Sequence, residues 1–243
     1  MSENPLLPNR RLKELLELMR RCNTLDRRSK RPAREALLAA TAIHLQAGDL
    51  LSAEASDATV AAIAPPQKTN PLVTWDAVVE PDKKVALPKV SRLTLNAAMA
   101  QGLRASGTGG IVLTLVTTDA PEAGWADALT YAQRARVPLL LAVTDTGRAS
   151  RAANAFTFQA VTAFAKKLQI PVLPVDGEDA VAIYRVMQEC TLRARLGEGP
   201  AVIWGILTPQ SKSGGKLPRS AQPIARMESY LSTRGLLTPK TTR

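Results

Sequence analysis

The stretch from Ile111 to Thr146 constrains the fold most, because it sets two apolar strand patterns around one helix pattern. The β-rich run IVLTLV, from Ile111 to Val116, predicts a strand that is buried on both faces. The run EAGWADALTYAQRAR predicts a helix, and PLLLAV, which begins at Pro138, predicts a second buried strand. A strand, a helix and a strand in this length form a βαβ unit, so we expect the two strands to be parallel neighbours.

The same alternation continues toward the C-terminus. NAFTFQAVTAFAKKLQ reads as a helix, IPVLPV as a strand, and Asp176-Gly177 as a turn into a long helix that ends before the strand AVIWGIL. Alternating helices and strands of this kind indicate an α/β fold. We therefore predict a doubly wound, mostly parallel sheet with helices on both faces and right-handed crossovers.

The 243 residues fit one α/β domain, or one domain with a small appendage, and much of the net charge of +11 lies in residues 10–34. We expect a basic N-terminal helical segment over 1–34 and a single α/β domain over 35–243, with an irregular Pro- and Lys-rich connection over 64–92. An apolar stripe lies opposite the arginines of the first segment and predicts an amphipathic helix with a solvated charged face. Its members are Leu12, Leu15, Leu16, Met19 and Cys22.

Composition narrows the function classes. No apolar run is long enough to cross a bilayer and the N-terminus lacks an apolar signal core, so we expect a soluble, cytoplasmic protein that uses no membrane. Cys22 and Cys190 are far apart and form no CxxC pair, which suits a reducing compartment. His44 is the only histidine. A histidine-based metal site is therefore disfavoured, and a structural role for His44 is favoured.

Polar residues follow both strands of the central βαβ unit. In open parallel sheets, ligands bind at the carboxyl ends of the strands, and these ends carry Thr117, Thr118 and Asp119 on one strand and Asp145 and Thr146 on the next. Asp119 and Asp145 are the two candidate metal ligands. The favoured alternative is that they are turn and cap residues, and no catalytic residue is predicted.

Several strings resemble one family when they are taken in order. VDGEDAVAIYRVMQECTLRARLGEGPAVI (175–203) resembles the alpha subunit of the thiamine-diphosphate-dependent 2-oxo acid dehydrogenases, in which a Val-Asp-Gly turn precedes a long helix ending in Arg-x-Gly-x-Gly-Pro. EAGWADAL (122–129) is similar to that family's Glu-Gly-x-Phe-x-Glu-Ala-Leu helix. QPIARMESYLSTRGLL is similar to its closing Asp-Pro-Ile helix. Glu35, Ala36, Gly48 and Asp49 match its early Gly-x-Glu-Ala helix and Pro-Gly-Asp turn.

The resemblance implies a thiamine-diphosphate-binding fold, with thiamine diphosphate and magnesium as cofactors. The family holds magnesium-diphosphate with a Gly-Asp-Gly turn and a later Asn-Asn, and magnesium requires hard oxygen ligands. This chain has Val116-Thr117-Thr118 and Asp145-Thr146 at those positions. The family's Tyr-Arg-x-His is replaced by Ala55-Ser56-Asp57-Ala58, and its later histidine has no counterpart in LTPQSKSGG.

Three functions stay open at this point. The changed motifs favour a catalytically degenerate homologue with a structural or regulatory role, inactive alone, that does not bind the cofactor. The alternative is an active alpha subunit that oxidatively decarboxylates a 2-oxo acid together with a beta subunit. A minor alternative is nucleic-acid binding through the basic N-terminal helix, for which no recognised module is present. The resemblance implies a beta-subunit-like partner or a homo-oligomer.

Overall fold

The computed structural model describes residues 7–29, 34–53, 59–60, 72–73, 77–79, 84–86, 91–118, 124–147, 156–208 and 222–237. The helices are α1 (Asn9–Ser29), α2 (Glu35–Ala42), α3 (Arg92–Ser106), α4 (Trp125–Arg134), α5 (Phe158–Leu168), α6 (Ala180–Arg195) and α7 (Pro223–Thr233). The strands are β1 (Leu50–Ser52), β2 (Leu72–Val73), β3 (Ala77–Val79), β4 (Lys84–Ala86), β5 (Val112–Thr117), β6 (Leu139–Asp145), β7 (Val172–Asp176) and β8 (Ala201–Ile206).

The strands form one sheet in the order β4-β3-β2-β1-β5-β6-β8-β7. All neighbours from β2 to β7 are parallel, while β3 and β4 are antiparallel additions at one end. The central pair β5 and β6 runs parallel, with Val112 opposite Leu139 and Thr117 opposite Thr144. The predicted α/β class and the predicted βαβ pairing are therefore confirmed.

Helices cover both faces of the sheet, and each face has its own apolar cluster. α1, α2, α6 and α7 pack on one face, and α3, α4 and α5 pack on the other. The predicted stripe of α1 is confirmed as buried, since Leu12, Leu15, Met19 and Cys22 are fully covered and Leu16 nearly so. α1 thus shares one core cluster with α2 and α7, and the apolar half of this basic helix is part of that core. Among the described helices, none combines the length and the apolar character that a membrane crossing requires.

The predicted irregular connection over 64–92 contains three short strands that the sequence did not indicate. β2, β3 and β4 each have two or three residues and extend the sheet beyond β1. Strands this short show no readable periodicity, and pairing with neighbours decides their conformation. Most other residues of the connection lie outside the described part of the chain.

An ion pair fastens the sheet where its parallel strands begin, which we call the amino edge. The Asp49 carboxylate is fully buried, and the two terminal guanidinium nitrogens of Arg195 donate to it at 2.9 and 2.6 Å. Backbone N–H groups of Ile111 and Gln46 donate to the same carboxylate at 2.9 and 2.7 Å. The pair therefore joins the start of β1 to the start of β5 and to the end of α6.

Candidate functional site

The candidate site lies where the strands end, which we call the carboxyl edge. Strand order reverses between β1 and β5, because β2 lies beyond β1 and β6 lies beyond β5. Such a reversal leaves a crevice outside the carboxyl ends of the two strands, the usual ligand position in open α/β sheets. The sequence-predicted residues Thr117, Thr118, Asp145 and Thr146 are all at this edge.

Asp145 ends β6, and its carboxylate is bound by neighbouring protein groups. The indole Nε1–H of Trp204 donates to Oδ2 at 2.7 Å, and the backbone N–H of Gly147 donates to Oδ1 at 2.9 Å. The Thr118 hydroxyl donates to Oδ1 at 3.4 Å and accepts from the backbone N–H of Thr146 at 3.3 Å. We call the Thr118, Asp145 and Trp204 side chains the strand-end tie, because they join β5, β6 and β8.

The strand-end tie leaves this carboxylate poorly suited to a cation. A carboxylate has about four lone-pair sites, and three donors already converge on this one. Trp204 is fully buried and packs against Phe156 and Phe158, so its indole N–H is held in place by the core. Within the described residues, no cluster of three or more His, Cys, Asp or Glu side chains could hold a metal ion.

A second polar network lies between α3 and the sheet, near the same strand ends. The Arg92 guanidinium, on the first turn of α3, donates to the Ser52 hydroxyl at 3.2 Å and to the Leu115 carbonyl at 3.1 Å. The Asn96 amide, one turn later, donates to Ser52 at 2.8 Å and to the Thr114 hydroxyl at 3.0 Å. All of these side chains are buried, so the network links α3 to β1 and β5 at the point where strand order reverses.

Ionisable groups with shifted pKa values lie at the start of α2 and just after its end. Glu35 begins the helix at the carboxyl edge, and the Asn23 amide donates to it at 3.2 Å. Burial raises the pKa of the Glu35 carboxyl, and its Oε2 has no hydrogen-bond partner among the described residues. His44 follows the helix toward the amino edge and packs against Tyr184 with 4.3 Å between ring centroids. Burial lowers the pKa of His44 to about 4, so its imidazole is neutral at pH 7.

The two thiols are poor nucleophiles. Cys22 and Cys190 are both buried, and burial raises the pKa of each thiol to about 12. A thiol with that pKa stays protonated at neutral pH, and the thiolate is the reactive form. Both cysteines are therefore better described as core residues than as nucleophiles.

The structure brings some predicted site residues together and leaves others undescribed. Thr117 lies beside Thr144 in the β5–β6 ladder, and Thr118 bonds to both Asp145 and Thr146. Asp119, the tetrapeptide 55–58 and residues 209–221 lie outside the described residues. Trp204, Arg92 and Asn96 were not predicted as site residues from the sequence. Arg92 and Asn96 lie four residues apart on the helix face that also carries Leu93 and Ala97, and this spacing was a readable signal for both.

Comparison with known proteins identifies relatives of this architecture. The family model for the dehydrogenase E1 component matches residues 92–206, from the start of α3 to the end of β8. The pyruvate dehydrogenase E1 component subunit alpha of two Staphylococcus epidermidis strains is 26% identical over 157 residues. That alignment covers 58% of this chain and 42% of each relative, so the chain spans less than half the length of these relatives.

A solved structure from Mycobacterium smegmatis has a similar fold. Its protein is assigned as a thiamin diphosphate-dependent enzyme, and the two structures superpose with a TM-score of 0.51 at 11% sequence identity. The match covers 71% of this chain and 31% of the other chain. At this identity the likeness establishes a shared α/β fold.

Proposed function

We propose that this chain, a divergent E1 alpha-like protein, is non-catalytic and has a structural or regulatory role. The strand-end tie is the observation that carries the proposal. Asp145 stands where the resemblance expects the Asn-Asn that grips magnesium-diphosphate, and its carboxylate is bound to Trp204, Thr118 and the Gly147 N–H.

The described residues at this edge do not fit magnesium and thiamine diphosphate in the family's manner. Thr117 supplies a hydroxyl where the resemblance expects a carboxylate, and Thr146 follows an acid that is already engaged. Magnesium is bound through carboxylates and phosphates at close to octahedral geometry, and first-shell positions tolerate little displacement. Turning Asp145 toward a metal would leave the buried Trp204 indole N–H without its acceptor, which is costly.

We infer that the segments matching the family's motifs stabilise the fold and support assembly with a partner subunit. The ion pair of Asp49 with Arg195 joins two segments that match the family's motifs, and both partners are buried or largely buried. The role that fits a preserved frame with an altered cofactor edge is that of a subunit in a complex, with a beta-subunit-like chain or a second copy as partner. Fold alone does not decide between them.

Isothermal titration calorimetry with thiamine diphosphate and magnesium tests the proposal. The wild-type chain is expected to give no saturable heat, with or without magnesium. The variant Thr117→Asp, titrated in parallel, asks whether one restored carboxylate is enough to recover binding. Micromolar, magnesium-dependent binding by the wild type would contradict the proposal and favour an active alpha subunit.

A further inference from the structure

The role proposed above does not involve the net charge of +11, which lies partly on the basic helix α1 and partly elsewhere in the fold. On the basic helix α1, Arg11 pairs with Glu14 at 2.8 Å and Arg20 pairs with Glu228 at 2.7 Å. Arg34, just before α2, is buried against Asp26. Arg10, Lys13 and Arg21 of α1 are exposed, and a separate group of exposed cations lies at the amino edge, at the C-terminal ends of α3, α4 and α5.

We call this group the basic patch: Arg104, Arg134, Arg136, Lys166 and Lys167. All five side chains are exposed, and none forms an ion pair with an acid among the described residues. The three helices contain a single acid, Asp127, in the first turn of α4 at the opposite edge. Glu198, in the loop between α6 and β8, is bound to Arg193 at 2.7 Å.

The ends of α3 and α4 are joined in a way that sets the arginines close together. Arg104 donates from one terminal nitrogen to the carbonyls of Ala135 and Arg136, the latter at 2.6 Å. Arg104 therefore lies directly over the end of α4, beside Arg134 and Arg136. Compensation of the helix dipole accounts for a cation at each helix end, but it does not account for five cations with no acid between them.

An exposed aromatic ring accompanies these cations. Tyr131 lies one turn before Arg134 on α4 and is 46% exposed. It is one of only three tyrosines in the chain. An aromatic ring among cations is the arrangement that binds single-stranded nucleic acid, where bases stack on the ring and phosphates contact the cations. An acidic membrane surface fits less well, because such binding also needs a larger apolar face.

We propose that the basic patch and Tyr131 form a binding surface for single-stranded nucleic acid. The surface lies at the edge of the sheet opposite the strand-end tie, so it is independent of any cofactor site. Contacts to phosphate supply the affinity, and stacking on Tyr131 supplies the preference for single strands.

Fluorescence polarisation of the full-length chain with labelled oligothymidylate tests this surface at several salt concentrations. The triple variant Arg134→Gln, Lys166→Gln, Lys167→Gln is expected to weaken binding by more than about tenfold at low salt and to flatten the slope of log K against log salt by about 2. Arg136 is left unchanged because its φ of 49° makes substitution there a change in backbone strain as well. The matched control Arg10→Gln, Lys13→Gln, Arg21→Gln removes the same charge from α1 and is expected to leave the affinity within about twofold.

Tyr131→Leu separates stacking from charge. It is expected to weaken single-strand binding by about tenfold and to leave binding of an equally long duplex unchanged. Thermal unfolding by circular dichroism confirms that each variant is folded. Equal losses from the patch and α1 variants would overturn the proposal, as would no binding at low salt. Binding to phosphatidylserine vesicles without binding to oligothymidylate would also overturn it.

Discussion

Two aspartates hold the sheet at opposite edges, and they do so with different partners. Asp49 at the amino edge is bound by a guanidinium and two backbone N–H groups, whereas Asp145 at the carboxyl edge is bound by an indole, a hydroxyl and one backbone N–H. Asp49 belongs to a motif in which this chain resembles the dehydrogenase alpha subunits, and Asp145 to one in which it differs from them. The comparison indicates that charge pairing holds the amino edge, whereas neutral donors bind the carboxylate at the candidate ligand edge.

The largest effect is expected at the amino edge. Arg195→Met leaves the fully buried Asp49 carboxylate without its cation, and removal of one partner from a buried pair costs about 3–5 kcal/mol. Urea unfolding measures the loss. Arg193→Met is the matched control, because Arg193 pairs with Glu198 at the surface and such pairs contribute at most about 1 kcal/mol. Equal losses in the two variants would show that the amino edge is not fastened by this ion pair.

His44, which follows α2 at the amino edge, is expected to make the free energy of unfolding depend on pH. Because its pKa is lowered from 6.5 to about 4 in the folded chain, His44 contributes stability above pH 6.5 that is lost as the pH falls toward 4. The full difference corresponds to at most about 3 kcal/mol. His44→Gln should remove this part of the acid destabilisation, measured as the change in unfolding free energy between pH 6.5 and 4. An unchanged difference would mean that His44 titrates normally in the fold.

At the carboxyl edge, a double-mutant cycle measures the strand-end tie. Trp204→Phe removes the indole N–H and Asp145→Ala removes its acceptor, and hydrogen bonds to charged groups contribute about 1.5–3 kcal/mol. We expect a coupling energy of that size from chemical denaturation of the four proteins. Additive losses would show that Trp204 stabilises the core through packing alone.

The smallest effect is expected from Glu35, at the carboxyl-edge end of α2. Its contribution to stability changes with pH in the direction opposite to that of His44. Burial raises the pKa of Glu35 above 4.5, so its contribution to stability is present below pH 4.5 and is lost as the pH rises through the folded-state value. Glu35→Gln cannot titrate and should lack this loss. Thermal unfolding from pH 4.5 upward, compared between wild type and variant, checks the sign. If the wild type gained stability relative to Glu35→Gln as the pH rises, the predicted direction of the pKa shift would be wrong.

Those parts of the fold in which apolar residues recur at a regular spacing could be predicted from the sequence. The parallel pairing of β5 with β6 and the buried stripe of α1 follow from patterns that local residues determine. β2, β3 and β4 escaped prediction because two or three residues carry no period and pairing alone fixes them.

The candidate site was predictable in position but not in its bonding. The apolar patterns of β5 and β6 predicted where these strands end, and so predicted that Thr117, Thr118, Asp145 and Thr146 lie at the carboxyl edge. The partner of Asp145 is Trp204, which is 59 residues away and reads in sequence as an ordinary core residue of β8. A contact of that range depends on the β6–β8 pairing, which no local pattern encodes.

The indole N–H signal of Trp204 tests the central claim most directly. In a ¹⁵N–¹H spectrum of the full chain, the signal is assigned with the variant Trp204→Phe. Its chemical shift reports whether the Asp145 carboxylate still accepts the hydrogen bond from the Trp204 indole. We predict that thiamine diphosphate with millimolar magnesium leaves this signal unchanged, because the strand-end tie persists. A saturable, magnesium-dependent shift of the signal would contradict the account, since it would show that Asp145 turns to a bound metal.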